Sequence, residues 1–179
     1  MKYTILLFSI LLSACTVKAP PYQASIENVQ IMKLAKLKEL AVGEFSSKKK
    51  LNSISLRGTS LVSPEGTYGD YLTKAIESEL KLAKIWSGIS STVVSGTLIS
   101  NDIDVSGFST GTGEISAEFI VRENDEIVYQ GTISADHEFD SSFMGAVAIP
   151  NGQSNYMYLV QKLIKKLFSD QDFIDAIKR

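Results

Sequence analysis

Apolar and polar residues alternate through the middle of the chain. In residues 114–122 the odd-numbered positions carry isoleucine, alanine, phenylalanine and valine, and residues 126–138 repeat the alternation after a short Asn-Asp turn. Residues 92–100 form a further apolar segment before them. A period of two places successive side chains on opposite faces of a strand. Because the connections are short, the pattern predicts an antiparallel meander of three strands with one buried face.

Two other segments carry apolar residues three and four positions apart. One spans residues 68–86 and ends its apolar stripe at Trp86, and the other spans residues 156–167. This spacing predicts amphipathic helices whose stripes face the core, with Trp86 in the core. Ser169 and Asp170 then predict the cap of a last short helix.

The part before the first of these helices is less regular. Residues 40–45 and 51–56 are predicted strands, joined by the basic segment 46–50 as a solvated hairpin tip. Residues 26–40 have apolar residues at helical intervals between lysines, which is typical of a short amphipathic helix or of a loop that runs into a strand. Such a helix could pack on the domain or lie on a membrane, and we favour packing.

The element order is strand-strand-helix-strand-strand-strand-helix. It predicts an α+β fold, an antiparallel sheet with two main helices packed on one face, as a single domain over residues 26–179. The chain of 179 residues is 44% hydrophobic and 21% charged, which is the composition of a folded globular protein. Its formal net charge of −2 offers no basic footprint, so we expect no nucleic-acid partner.

The start of the chain has the pattern of a secretion signal. Lys2 precedes an apolar run over residues 3–12 that is too short to span a bilayer, and the only cysteine of the chain is Cys15. The sequence Leu-Ser-Ala-Cys at residues 12–15 resembles the lipobox of bacterial lipoproteins. The resemblance implies cleavage between Ala14 and Cys15, a diacylglycerol on the Cys15 thiol and a further acyl chain such as palmitate on the new amine.

On this interpretation residues 1–14 are a signal peptide, and residues 15–25 are a lipidated tether stiffened by Pro20 and Pro21. Two or more acyl chains give a stable anchor, so a membrane is the first expected partner. Thr16 follows the cysteine in place of the aspartate that resembles an inner-membrane retention signal. This favours the outer membrane, with the domain facing the periplasm.

Patterns that carry catalysis or bind metals are weak in this sequence. His137 is the only histidine, and its acidic neighbours in the sequence point to the opposite face of the strand, so these residues cannot form a triad or a metal cluster. Residues 102–113 begin like a calcium loop but end in Gly113 instead of a bidentate glutamate. We expect residues 101–113 to be a mobile hairpin connection or a binding loop. We also expect a non-enzymatic protein without metal or cofactor, apart from the covalent lipid.

An apolar run without a strand period precedes the last long helix. It covers residues 143–149 of the segment 141–150 and ends at Pro150. A buried loop leaves backbone groups without partners, so this segment must pack on the domain or meet a partner protein. The candidate partner-binding residues are Phe143, Met144, Val147 and Ile149.

Three short motifs, together with the lipobox and the element order, resemble small lipoproteins of the YajG and LptE-like types. They are Tyr-Leu-x-x-Ala-Ile at residues 71–76, Val-Ser-Gly-Thr-Leu at residues 94–98 and Phe-Met-Gly-Ala at residues 143–146. For the LptE-like type the resemblance implies plugging of an outer-membrane barrel and contact with lipopolysaccharide.

Our first hypothesis is therefore a lipid-anchored, periplasm-facing lipoprotein that supports an envelope assembly through protein–protein contacts. The partner would be an envelope protein. The alternative is a carrier or sensor of a lipid-like or glycolipid ligand, held between the sheet and the helices.

Overall fold

The computed structural model describes residues 15–179 of the chain. The predicted signal peptide, including Ala14 at the cleavage site, lies outside the described residues. The strands are β1 (Thr16–Lys18), β2 (Ala41–Ser47), β3 (Ile54–Leu56), β4 (Thr59–Val62), β5 (Thr92–Asp104), β6 (Thr110–Glu123) and β7 (Glu126–Asp140). The helices are α1 (Ile26–Ala35), α2 (Tyr68–Ala83), α3 (Gly145–Ser169) and α4 (Gln171–Ile177).

The larger sheet has the strand order β2-β5-β6-β7, and β5, β6 and β7 pair in antiparallel fashion. The alternation predicted for β6 is confirmed, because Ile115, Ala117, Phe119 and Val121 are all buried while the other face is more exposed. The buried face is covered by α3 over β6 and β7 and by α2 over β2. The predicted α+β fold is therefore confirmed.

The predicted first hairpin is wrong. β2 joins the larger sheet as a parallel neighbour of β5, whereas β3 pairs with β4 in a second sheet of order β1-β4-β3. Residues 46–50 end β2 and enter a single 3-10 turn, Lys49–Leu51, so they form no hairpin tip. The hairpin turn of this region is instead Arg57-Gly58, where φ is 50° and 88°. Positive φ at both central residues is what a tight two-residue hairpin requires.

Strand β1 lies within residues 15–25, which the sequence predicts to be a lipidated tether outside the domain. It pairs in parallel with β4, with Thr16 opposite Ser60, and Ala19 after it is buried. The two prolines follow the strand, so they do not prevent its backbone pairing. The folded domain therefore begins directly after Cys15 rather than at residue 26.

The first two helices form where the spacing predicts them. α1 packs against α2 and α3, as we favoured over a membrane position. α2 begins at a capping box made by Thr67 and Asp70 and ends at Lys84, which has a φ of 62°. Trp86 therefore lies beyond the helix, 39% exposed, with the Lys81 Nζ 4.4 Å from its ring centroid. The prediction that Trp86 belongs to the core is wrong.

Helix α3 begins at Gly145, well before the predicted start, and contains Pro150. Pro150 has no N–H, so the helix lacks the hydrogen bond to the Ala146 carbonyl. The irregular segment predicted over residues 141–150 is thus largely the first turns of α3. The predicted cap of the last helix is confirmed, because the Asp170 side chain accepts a hydrogen bond from the Phe173 N–H.

The glycine-rich connection is much shorter than the predicted loop over residues 101–113. β5 continues to Asp104 and β6 starts at Thr110, so only residues 105–109 link them. Gly111 and Gly113 lie within β6, where a Cβ would come within 3 Å of side-chain atoms of Phe139 and Ile103, respectively. Glycine at these two positions leaves the space that the neighbouring side chains occupy.

Candidate functional site

Cys15 is exposed and sits at the edge of the smaller sheet. Its carbonyl accepts a hydrogen bond from the Ser60 N–H at 2.9 Å, and the Ala19 N–H donates to the Val62 carbonyl at 2.9 Å. The backbone on both sides of β1 is therefore tied to β4. A group attached to the Cys15 thiol would be held against the domain without an intervening spacer.

A buried carboxylate fixes the chain that follows β1. Glu79 of α2 is fully buried, and its Oε1 accepts hydrogen bonds from the Tyr22 hydroxyl (2.5 Å), the Ser25 N–H (3.0 Å) and the Asn28 amide (2.9 Å). Burial raises the pKa of Glu79, and the three hydrogen bonds oppose this rise. Burial also raises the pKa of Tyr22, with the negative charge of Glu79 as the next cause. We call these four residues the Glu79 cluster.

Further contacts hold the same segment along α2 and α3. The Tyr71 hydroxyl donates to the Pro20 carbonyl at 2.9 Å. From α3, the side-chain amides of Gln153 and Gln161 donate to the carbonyls of Lys18 and Gln23, each at 2.7 Å. The N-terminal segment thus follows α3 in the same direction.

Exposed apolar side chains gather at the start of α3 and in the β5–β6 loop. The rings of Phe108 and Phe143 stack with centroids 5.2 Å apart and planes 21° apart. Their exposed fractions are 79% and 69%, and those of Met144 and Val147 are 63% and 43%. We call these four residues the apolar patch. Ile149, also a predicted partner contact, is partly buried and packs against the core instead.

Arg57, in the turn between β3 and β4, joins the two loops of the patch. Its guanidinium donates to the carbonyls of Phe143 (2.6 Å) and Ser142 (3.0 Å) in one loop. In the other loop it donates to the carbonyls of Val105 (2.9 Å) and Gly107 (3.3 Å). Because Arg57 is two residues from the strand that binds Cys15, the patch and the cysteine lie at the same end of the molecule.

His137, the histidine considered as a catalytic or metal-binding residue, contacts the side chain of Asn155. The His137 Nε2 lies 2.9 Å from the Asn155 Oδ1, beside an open groove of about 430 Å³ that Tyr158 and Lys162 also line. Within residues 15–179, no three potential ligands come together to hold a metal ion. Aromatic side chains fill the interior between the sheets and helices, where a lipid carrier would need its cavity; they are Tyr68, Tyr71, Tyr156, Phe45, Phe119, Phe168 and Phe173.

The sequence analysis singled out Cys15 and three of the four patch residues as candidates, but not Phe108, Arg57 or Glu79. Glu79 did leave a signal, since it lies three positions after Ile76 on the apolar stripe of α2. An acid on a buried stripe indicates a buried polar cluster. No such signal in the sequence marks Phe108 or Arg57, because their contacts depend on loops that only the folded chain brings together.

Among the helices of residues 15–179, none has the length and apolarity to cross a membrane. No protein-family model matches the chain, and the search of curated proteins returned no significant match.

The fold is similar to the crystal structure of protein XCC0632 from Xanthomonas campestris, of family DUF330. That match has a TM-score of 0.53 at 10% identity and covers 86% of this chain and 95% of the other. A candidate lipoprotein from Caulobacter crescentus CB15 matches with a TM-score of 0.48 at 12% identity, over 80% of this chain and 93% of the other. The first match shows a shared fold, and the second is too loose to add to it.

Proposed function

We propose that this chain is a lipoprotein, anchored by acyl chains on Cys15, that holds its α+β domain directly at a membrane surface. The proposal is carried by one observation: the backbone enters the fold at Cys15 itself, whose carbonyl is bonded to β4. A lipid on this residue would fix both the distance and the side from which the domain meets the bilayer.

In this proposal the domain is non-enzymatic and supports an envelope assembly through protein–protein contacts. The short signal pattern and the lipobox-like residues 12–15 support export, and Thr16 supports the outer membrane with the domain in the periplasm. The filled interior favours this role over a carrier that encloses a lipid. Assignment to the YajG or LptE-like type stays a prediction from the short sequence motifs.

The test is metabolic labelling of bacterial cells that express the full chain, with an alkyne-bearing fatty acid as the probe. We expect the wild-type protein to be labelled and to sediment with outer membranes. The matched variant combines Cys15→Ser with Ser53→Cys, which keeps one exposed cysteine but moves it into the domain. Labelling of that variant, or an unlabelled wild type, would contradict the proposal.

The assembly role has its own test, mild chemical crosslinking in the same cells before extraction. We expect the labelled protein to appear in a crosslinked species with an envelope protein, identified by mass spectrometry. A protein that stays uncrosslinked at every crosslinker concentration and in every growth phase would contradict this part of the proposal.

A further inference from the structure

We infer that the apolar patch is a second membrane contact, which enters the bilayer interface beside the lipidated cysteine and sets the orientation of the domain. This inference rests on the proposed function, because it takes the membrane to be present at Cys15. The patch consists of Phe108, Phe143, Met144 and Val147.

The strand pairing in the smaller sheet shows how close Cys15 lies to the apolar patch. Since Thr16 pairs with Ser60, Cys15 lies opposite Thr59, one strand spacing of about 4.8 Å away. Arg57 is the first residue of the two-residue turn that leads into Thr59, because Leu56 of β3 pairs with Thr59 of β4. Its guanidinium then binds the Phe143 carbonyl at 2.6 Å. The chain of contacts from the anchor to the stacked rings is therefore short.

The contacts of helix α3 give a second, independent indication that Cys15 lies near the apolar patch. Gln153 is hydrogen-bonded to the Lys18 carbonyl and Gln161 to the Gln23 carbonyl, so the helix and the N-terminal segment run side by side. From Lys18 back to Cys15 the strand covers about 10 Å. The same distance is about seven residues of helix, which leads back from Gln153 to the first turn of α3. Cys15 is thus level with the turn that exposes Met144 and Val147.

The charge distribution matches a lipid surface. Residues 105–113 and 141–161 contain no aspartate, glutamate, lysine or arginine. The nearest cation is Arg57, whose guanidinium is bonded to four backbone carbonyls of the patch loops. Asp104 and Asp140 flank the loops at the ends of β5 and β7. They limit insertion to the tips of the loops, at the depth where aromatic side chains are favoured in the bilayer interface.

Contact with a membrane accounts for the exposed apolar patch without a protein partner. Exposed apolar patches mark either membrane or protein contacts. Here the patch lies next to the residue that carries the acyl chains, on loops joined to that residue through β4 and Arg57. In the anchored protein, a partner on this patch would have to fit between the domain and the bilayer.

The experiment places a fluorescent side chain at the patch in the lipidated protein. Trp86, the only tryptophan, is replaced in Trp86→Phe, and Phe143→Trp is added in that background. The matched control is Ile89→Trp, since Ile89 is 98% exposed and precedes β5 at the opposite end of that strand. Each protein is reconstituted in vesicles of phosphatidylethanolamine and phosphatidylglycerol, with and without brominated acyl chains. Flotation with the vesicles is measured first.

We expect brominated lipid to lower the emission of the F143W protein by about twofold or more and to leave the I89W protein unchanged, because bromine quenches only indoles within the bilayer interface. Equal quenching of the two proteins would overturn the membrane contact while leaving the anchor intact. So would an F143W protein that floats with the vesicles but is not quenched by the brominated lipid. Failure to float would overturn the proposed function and this inference together.

Discussion

At the scale of single residues, a buried carboxyl group joins the N-terminal segment to helix α2. Glu79 lies on the apolar stripe of that helix and accepts three hydrogen bonds from the residues that follow β1. Its cluster holds residues 22–28 against α2. The burial raises the pKa of Glu79, so the native state favours the protonated acid more than the unfolded chain does.

This pKa shift predicts a pH dependence of stability. Above the ordinary glutamate value near 4.5, the native state binds more protons at Glu79 than the unfolded state, so its contribution falls as the pH rises. We expect the free energy of unfolding of the wild type, relative to Glu79→Gln, to decrease between about pH 4.5 and the raised native pKa. Urea unfolding at several pH values measures this difference. Parallel pH profiles for the two proteins would contradict it.

The Glu79 cluster also predicts a larger loss of stability when the carboxyl group of Glu79 is removed. Glu79→Ala leaves the Tyr22 hydroxyl, the Ser25 N–H and the Asn28 amide without their acceptor, so we expect a loss of about 3 kcal/mol near pH 4.5 that becomes smaller as the pH rises. Glu79→Gln keeps an acceptor oxygen and serves as the control in the same urea titrations. A loss below that of the control would show that the cluster contributes little to the fold.

At the scale of elements, the sequence was most informative where burial imposes a period. The alternation in β6 and the stripe of α2 predicted both elements and their buried faces, because each depends on local spacing. The parallel pairing of β2 with β5 could not be predicted, since it depends on chain segments far apart. Strand β1 was hidden by Pro20 and Pro21, and the start of α3 was hidden by Pro150.

The contact between α2 and β2 is close enough to test with one methyl group. A Cβ at Gly69 would lie 2.2 Å from the Phe45 carbonyl oxygen, so the helix or strand would have to move. We expect Gly69→Ala to lower the free energy of unfolding by about 2 kcal/mol. In the control, Gly145→Ala, the nearest atom is the Ile149 Cδ1 at 4.0 Å, and we expect no loss. Equal effects of the two variants in thermal unfolding would contradict this packing.

At the scale of the whole molecule, the two ends of the domain differ. One end carries Cys15 and the apolar patch, joined by β4 and Arg57, and the other carries Trp86 and Ile89 beyond α2. The sequence could predict the cysteine and most of the patch separately, because each is a local pattern. It could not predict that they share one end, since this depends on β1 pairing with β4 instead of leaving the domain as a tether.

The proposed function and the membrane contact both depend on a lipid on Cys15. The mass of the mature N-terminal peptide tests this claim most directly. The protein is extracted with detergent from bacterial membranes, digested and analysed by mass spectrometry. We predict that the first peptide begins at Cys15 and carries a diacylglycerol on sulfur and an acyl chain on the amine. A mature chain that begins at another residue, or an unmodified Cys15 in the membrane-bound protein, would contradict the account.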